Sequence, residues 1–326
     1  MNNDNTIISV DNLKTYFYTN ERCNKAVNGV SFKIKKGRTL CVVGESGCGK
    51  TTLGKTILQL VKATAGEAIY DFEGEKKDLN QLSDKEMMKA RKKLQIVFQD
   101  PHSSLNPAFT IFGSLQDPLK KFGVKSKAER KKIIGDLLED VNLRREYMNR
   151  YPHEFSGGQR QRIGIARALS VEPELIVCDE AVSALDVSIQ AQVLKLLQDL
   201  KDKRNLTYLF ITHDLSVVEY ISDRIAVMYL GKIVELADSD DLYQDTLHPY
   251  TEALLSAIPV ADLDHKSDRI ILKGNVPSPI DPPSGCPFHP RCPKEFAKCS
   301  KVIPELKKYI IDGREHYAAC HLLDQK

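Results

Sequence analysis

The chain has 326 residues, of which 42% are apolar and 28% charged, and this composition is that of a globular protein rather than a disordered or fibrous one. Its formal charge of +3 is small for this length, so a nucleic-acid partner is not expected. Because no apolar run reaches the roughly 18 residues of a membrane span and no signal-type segment follows the polar start, we expect a cytosolic protein that meets a membrane only through partners.

The first strong pattern joins a predicted strand to a glycine-rich loop. The apolar run at 40–43 suits a buried strand, and residues 44–51 after it read G-x-x-x-x-G-K-T. Glycines let successive backbone N–H groups point at phosphate oxygens, and a helix beginning near Lys50 adds its partial positive charge. Lys50 can reach the β- and γ-phosphates, and the Thr51 hydroxyl can bind Mg²⁺. The pattern predicts a nucleoside triphosphate site formed by Gly44, Glu45, Ser46, Gly47, Cys48, Gly49, Lys50, Thr51 and Thr52.

Three further apolar runs, too short for helices, suit strands buried in a parallel sheet, at residues 94–98, 175–178 and 207–211. Ligands of open α/β sheets bind at the carboxyl ends of such strands. Asp179 is therefore predicted to hold Mg²⁺ through water, and Glu180 to act as general base towards the attacking water. Gln99 would reach Mg²⁺ or that water. His213 also follows a strand, but a lone histidine is more often structural, so its assignment needs further support.

The sequence F-S-G-G-Q predicts the beginning of a helix. Ser156 and Gln159 fit the S-x-x-Q capping box, and apolar residues follow at helical spacing until Pro173. Two glycines inside the cap, Gly157 and Gly158, would expose backbone N–H groups and form a second anion site. A well-capped helix without a ligand is the alternative interpretation.

These motifs occur in the order found in the ATP-binding cassette (ABC) family, which the chain resembles, and residues 183–186 resemble the D-loop of that family. The resemblance implies an α/β P-loop NTPase fold, with a RecA-like core and a helical subdomain at about 100–160. It also implies ATP hydrolysis that depends on Lys50, Gln99, Glu180 and His213. The Mg²⁺ ligands would be Thr51, Gln99 and Asp179.

The same resemblance implies that two nucleotide-binding domains dimerise head to tail. Each ATP would lie between the phosphate loop of one subunit and the F-S-G-G-Q signature of the other, where Ser156, Gly157, Gly158 and Gln159 would contact it. Adenine would stack on Phe17, with Tyr16 and Tyr18 as the rival positions.

Three longer runs, at 98–107, 183–192 and 248–259, resemble the ATPase subunits of bacterial oligopeptide and dipeptide importers, the F-type more than the D-type. The resemblance implies a nucleotide-binding domain at 1–247 and an importer-type extension at 248–326. It implies as partners a second, different ATPase subunit, two transmembrane permease subunits and, indirectly, an extracytoplasmic peptide-binding protein. The chain would then act at the cytoplasmic face of the cell membrane.

Two alternatives stay open: an importer ATPase for nickel or another small solute, and a soluble ABC ATPase of translation or DNA repair. A single phosphate loop and the absence of a long insertion before the signature count against the second. Four apolar residues of the subdomain, Phe109, Ile111, Phe112 and Leu115, are either its core or a docking surface for the permease.

Four cysteines, Cys286, Cys292, Cys299 and Cys320, are close together in the sequence. In a reducing compartment such a group indicates a metal rather than disulfides. Seven prolines between residues 277 and 293 exclude a regular helix or central strand, so this segment needs another source of order. A structural zinc site would more usually contain C-x2-C, whereas four thiolates also hold a [4Fe–4S] cluster, which the resemblance implies as well. Zinc, unligated thiols and substitution by His289 or His321 are the alternatives.

Overall fold

The computed structural model describes residues 5–19, 22–100, 105–258 and 269–325. Of the longer runs quoted above, residues 101–104 and 259 lie outside these ranges. The described residues form two compact units that alternate along the chain. The first contains Asn5, Lys35–Arg38 and the described part of Gln81–Ile211, and the second contains the described parts of Thr6–Ile34, Thr39–Asn80 and Thr212–Lys326.

The described strands are numbered in chain order. They are β1 (Thr6–Thr19), β2 (Arg22–Lys35), β3 (Thr39–Val43), β4 (Ala65–Phe72), β5 (Glu75–Asp78), β6 (Leu94–Val97), β7 (Leu175–Asp179), β8 (Thr207–Ile211), β9 (Arg224–Tyr229), β10 (Lys232–Asp238), β11 (Lys307–Ile311) and β12 (Arg314–Ala318). The described α-helices are α1 (Lys50–Ile57), α2 (Asp84–Lys93), α3 (Ile111–Lys121), α4 (Lys127–Asp140), α5 (Gly157–Leu169), α6 (Val187–Arg204), α7 (Leu215–Ile221), α8 (Ser239–Gln244) and α9 (Pro249–Leu255).

The first unit has β6, β7 and β8 as parallel neighbours in that order, with Leu94 opposite Leu175 and Leu175 opposite Thr207. Every residue of β7 and β8 is buried, which explains why these strands read as uninterrupted apolar runs. The three strands predicted from those runs are confirmed. Because they are parallel, their carboxyl ends lie at one edge, and that edge carries Gln99, Asp179 and Glu180.

The second unit contains an antiparallel sheet in the order β2-β1-β4-β5. Its other strands begin with β3 and β9, which pair in parallel, with Leu40 opposite Arg224. From β9 the pairing continues antiparallel through β10 and β12 to β11. The predicted strand before the phosphate loop is thus β3, which is buried along its whole length.

Helix α5 begins as predicted but ends earlier. The Ser156 hydroxyl accepts the Gln159 N–H at 3.3 Å, and the Gln159 side chain accepts the Ser156 N–H at 3.0 Å, which is the predicted capping box. The helix ends at Leu169, not at Pro173. Glu172, with a left-handed φ of 55°, donates its N–H to Leu169, so the chain turns away before it reaches the proline.

The extent of burial distinguishes core side chains from exposed ones among the buried-cysteine candidates and the four apolar residues of the subdomain. Cys41 and Cys178 are fully buried, and burial raises the pKa of the Cys178 thiol to about 12. Both cysteines therefore act as small apolar residues of the core. Of the four subdomain residues, Ile111 and Leu115 lie in the core and Phe112 is half-buried. Phe109 is the exception, with 51% of its surface exposed.

The proline-rich segment has the irregular backbone that its sequence predicts. Between residues 277 and 293 the regular structure is one 3-10 helix at His289–Arg291. The hairpin of β11 and β12 follows it, and β12 joins this region to β10. None of the helices in the described ranges is long and apolar enough to cross a membrane.

Candidate active site

The loop at 44–49 connects β3 to α1 and follows a path that only glycine permits at two points. Gly44 and Gly49 have φ values of 149° and 106°. A Cβ at Gly44 would lie 2.1 Å from the Met228 carbonyl oxygen, and one at Gly49 would lie 1.9 Å from that of Ala26. Both neighbours are backbone atoms that cannot swing aside. The glycines of the predicted phosphate loop are therefore required by close backbone approach as well as by dihedral angle.

The Lys50 side chain is enclosed by this loop. Its ammonium donates to the carbonyl oxygens of Gly44 at 2.7 Å and Glu45 at 3.0 Å, and the residue is only 4% exposed. The N-cap of α1 is Gly49, which has no side chain to cap the first turn. A buried cation and a helix N-terminus thus meet in one loop, an arrangement that favours a bound anion such as a triphosphate.

Glu45 lies at a point where the loop is tied to distant parts of the chain. Its backbone N–H donates to the Tyr250 hydroxyl at 2.9 Å, and its carboxylate accepts two hydrogen bonds from Arg291, at 2.6 and 3.0 Å. The sequence predicts Glu45 as a nucleotide contact; in this structure its polar groups bind protein atoms, and the nucleotide contact stays a prediction. Sequence reasoning missed Tyr250 and Arg291, because a contact that spans more than two hundred residues leaves no local pattern.

In the first unit, the amide of Gln99 donates to the Glu180 carboxylate at 2.7 Å. Glu180 has a left-handed φ of 47°, which is uncommon for a residue with a side chain, and its N–H donates to Ile211 at 2.9 Å. Asp179, the last residue of β7, is buried. The structure therefore brings together Gln99 and the predicted general base at the carboxyl edge of the parallel strands. Two hydrogen bonds, from Gln99 to the Glu180 carboxylate and from the Glu180 N–H to Ile211, fix Glu180 in its left-handed backbone conformation.

The F-S-G-G-Q signature forms the N-terminus of α5 in the first unit. Gly158 is buried, and a Cβ there would lie 2.4 Å from the Ile189 side chain of α6, so α5 needs glycine to approach α6 this closely. The capping hydroxyl of Ser156 already accepts the Gln159 N–H. An anion at this helix would thus meet the backbone of the two glycines before that of Gln159.

The remaining predicted residues lie in the second unit. His213 is exposed and precedes α7 in the chain. Phe17 and Tyr18 of β1 are 42% and 69% exposed, while the Tyr16 hydroxyl donates to Asn28 at 2.7 Å. Phe17 and Tyr18 thus present more ring surface than Tyr16 for stacking on a base, and the choice of Phe17 stays a prediction.

The four C-terminal cysteines lie near one another. Cys286 donates its N–H to the Cys299 carbonyl at 2.7 Å. Burial, together with the neighbouring thiols, raises the pKa of Cys286 and of Cys320 to about 11. Within the described ranges, however, no three His, Cys, Asp or Glu side chains are placed so that they could hold a metal ion. The metal prediction is therefore not supported by this arrangement and stays a prediction.

Comparisons with known proteins agree with the motifs. Residues 27–183 match the family described as ABC transporter, and residues 234–299 match the family described as oligopeptide/dipeptide transporter, C-terminal region. The oligopeptide transport ATP-binding protein AppF of Bacillus subtilis is 50% identical over 330 residues, covering 98% of each chain. A putative peptide import ATP-binding protein of Brucella ovis is 50% identical over 314 residues, covering 96% of this chain and 97% of that protein.

Solved structures show the same fold. The ATP-binding cassette MJ0796, as a dimer bound to ADP and Pi, has a TM-score of 0.63 and 30% identity, covering 71% of this chain and 98% of its own. CbiO1 from Clostridium perfringens, part of an ABC transporter complex, has a TM-score of 0.64 and 25% identity, covering 74% of this chain and 92% of its own. The predicted α/β cassette fold is confirmed by these two likenesses.

Proposed function

The chain belongs to the ATP-binding subunits of oligopeptide-type ABC transporters and is an ATPase, and we propose that it energises the import of oligopeptides or dipeptides. The observation that carries the ATP chemistry is the curl of residues 44–49 around the buried Lys50 ammonium. Peptide as the cargo is supported by near full-length identity to peptide transport proteins and by the match of residues 234–299.

In the proposed reaction, the ATP phosphates enter the loop and take the place of the carbonyl oxygens that Lys50 now contacts. The backbone N–H groups of the loop and the first turn of α1 bind the β- and γ-phosphates. Glu180 takes a proton from the attacking water. Gln99, which already donates to the Glu180 carboxylate, orients that base. His213 contacts the γ-phosphate.

Mg²⁺ would be held by Thr51, Gln99 and Asp179, which supply hydroxyl, amide and carboxylate oxygens, the donors that this ion prefers. Its contribution would be to neutralise charge that develops on the β- and γ-phosphate oxygens. The buried Asp179 at the end of β7 is consistent with this role.

We also propose the assembly that the family resemblance implies. The signature residues Ser156, Gly157, Gly158 and Gln159 would act on ATP held by the partner ATPase subunit, a different chain of the D-type. Two permease subunits would receive the motion, at the cytoplasmic face of the membrane, and a peptide-binding protein would supply the cargo outside. The extension is taken to begin at residue 248.

For the cysteines we propose a [4Fe–4S] cluster with a structural role. The proposal is supported by four thiols that are close enough to influence one another electrostatically. It is also supported by a proline-rich segment whose regular structure is a single short 3-10 helix, so that it needs another source of order. As placed, the thiols do not converge on a single ion, so binding would have to draw them together, and zinc is the weaker alternative. Iron, sulfide and zinc analysis of anaerobically purified protein tests this. About four irons per chain, lost in Cys292→Ser, would support the cluster. Metal-free, folded protein would refute it.

The test of the main proposal combines hydrolysis with transport. Glu180→Gln should bind ATP as the unaltered protein does but hydrolyse it at least 100-fold more slowly, since a general base typically contributes 10²–10⁴-fold. Cells that carry this variant should lose uptake of a labelled oligopeptide. Uptake of nickel instead of peptide would favour the small-solute alternative. Recovery with ribosomes or DNA, and not with permease subunits, would favour the soluble alternative.

A further inference from the structure

The second unit ties the phosphate loop to the C-terminal region through one residue, Glu45. The loop residue itself supplies a backbone N–H to the Tyr250 hydroxyl and both carboxylate oxygens to Arg291. Its carbonyl oxygen also accepts from Lys50. Three separate polar groups of one residue are therefore engaged, and two of them bind side chains from the part of the chain that follows residue 248.

The contact with Arg291 has the geometry of a strong interaction. Two guanidinium nitrogens face the two carboxylate oxygens, at 2.6 and 3.0 Å, and the Arg291 side chain is 7% exposed. Hydrogen bonding to Glu45 raises the pKa of Arg291 above its already high ordinary value, so the guanidinium stays charged. Planar, bidentate and shielded contacts of this kind fix orientation as well as distance, which a lysine could not do equally well.

The side chains that hold Glu45 are themselves fixed by an aromatic cluster, which consists of Tyr229, Tyr250 and Phe288. Their rings lie 4.7 to 5.4 Å apart, edge-on or tilted, and all three residues are buried. The Arg291 guanidinium lies 6.0 Å from the Tyr229 ring centre. Burial raises the pKa of the Tyr250 hydroxyl, which therefore remains a neutral acceptor for the Glu45 N–H.

Arg291 is placed by the backbone of the cysteine-containing segment. It ends the 3-10 helix between Cys286 and Cys292, and its N–H donates to the Phe288 carbonyl at 3.0 Å. The Cys292 N–H continues the turn by donating to His289 at 3.1 Å. The position of the guanidinium therefore depends on the shape of this short turn.

From these contacts we propose that Arg291 and Tyr250 are positioning residues of the ATP site, which hold the phosphate loop in its binding conformation through Glu45. The proposal rests on the proposed role of residues 44–51 in ATP binding. When phosphates draw the Lys50 ammonium away from the Gly44 and Glu45 carbonyls, the loop loses two of its internal hydrogen bonds. The ties to Tyr250 and Arg291 do not involve Lys50, so they maintain the loop while ATP is bound.

The proposal is tested by equilibrium titration of the full chain with a fluorescent ATP analogue and Mg²⁺, alongside steady-state hydrolysis. Arg291→Ala should raise the Kd and the KM for ATP about tenfold or more, the loss expected for a shielded charge-assisted contact, with a smaller change in kcat. Arg291→Lys should recover part of the affinity, since it restores the charge but not the fork. Tyr250→Phe should also raise the Kd while preserving the ring packing.

Arg314→Ala is the matched control, because Arg314 forms an ion pair with Asp241 at 2.6 Å in the same unit without contacting the loop. It should leave the Kd unchanged. In the double variant Glu45→Ala/Arg291→Ala, the loss of affinity should not exceed that of the larger single variant, because both act through one contact.

Several results would overturn the proposal. If Arg291→Ala and Tyr250→Phe melt at lower temperature but bind ATP as the unaltered protein does, the contacts are only structural. Tighter binding would mean that they restrain the loop against ATP. If Arg291→Ala does not fold, Arg291→Lys and Tyr250→Phe still decide. A failure of the unaltered protein to bind ATP would instead refute the proposed function.

Discussion

Protonation of the buried His248 imidazole should make the protein less stable in acid. The residue is buried and caps α9, where its Nδ1 atom accepts the Tyr250 N–H at 3.1 Å. A protonated ring has no acceptor, so protonation would break the cap. Burial lowers the pKa of His248 from 6.5 to about 4, and the nearby Glu235 carboxylate opposes that shift without overcoming it.

The size and sign of the effect follow from this difference in pKa. The unfolded chain takes up the proton below pH 6.5, whereas the folded chain resists it until about pH 4. The stabilising contribution is therefore complete above pH 6.5 and is lost progressively as the pH falls towards 4. A difference of about 2.5 units at 1.36 kcal/mol each gives a loss of about 3 kcal/mol in the free energy of unfolding.

Urea unfolding at several pH values between 7 and 4.5, compared with His248→Asn, measures this contribution. Asparagine can still accept the N-cap hydrogen bond but does not titrate. Because the chain contains no tryptophan, far-UV circular dichroism is the suitable signal. His248→Asn should start less stable, since it loses the ring packing with Phe288, but its stability should fall less steeply with acid. If both proteins lose stability in parallel below pH 6.5, the imidazole is not the group responsible.

Three further predictions concern the loop, the general base and the signature. Gly49→Ala should abolish ATP binding in the titration described above, because the new Cβ would lie 1.9 Å from the Ala26 carbonyl oxygen. Gly47→Ala is the control: no atom lies within 4 Å of its Cβ, so it should weaken ATP binding only through the strain of an alanine at a φ of 79°. Gln99→Ala should lower kcat by about tenfold, because it removes the hydrogen bond that orients the Glu180 carboxylate. In the double variant with Glu180→Gln it should lower kcat no further; additive losses would contradict this role. Gly158→Ala should destabilise the protein by about 1–3 kcal/mol in thermal melts, because the new Cβ would lie 2.4 Å from a methyl carbon of Ile189. Adding Ile189→Ala to this variant removes that methyl group and should recover part of the lost stability; no recovery would refute the packing argument.

The strands around the site could be predicted because of where they lie. A strand buried on both faces is apolar at nearly every position, so β3, β7 and β8 appear as short continuous apolar runs, with a polar residue at one end of each strand. The start of α5 could also be predicted, since the capping box is a local pattern of two side chains. The end of α5 could not, because a left-handed Glu172 stops it and glutamate carries no such signal.

The ties of Glu45 illustrate what a sequence cannot show. Tyr250 lies in a run that resembles peptide importers, but nothing in that run indicates a hydrogen bond to a loop 205 residues earlier. Arg291 lies in a proline-rich segment whose recognisable pattern is the group of cysteines. Such contacts depend on how β9, α9 and the 3-10 helix pack, and no spacing rule encodes that packing.

The phosphate loop is thus shaped by two kinds of restraint. Close backbone approach at Gly44 and Gly49 excludes other paths, and this restraint acts whether or not a ligand is bound. Hydrogen bonds to Lys50 hold the loop only until the ammonium turns to a phosphate. The loop must then depend on hydrogen bonds for which ATP does not compete. These are the bond from the Gly231 N–H to the Cys48 carbonyl at 2.9 Å and the bonds of Glu45 with Tyr250 and Arg291. We therefore expect that removal of the residues from 248 onward weakens ATP binding, because Tyr250 and Arg291 would no longer hold Glu45.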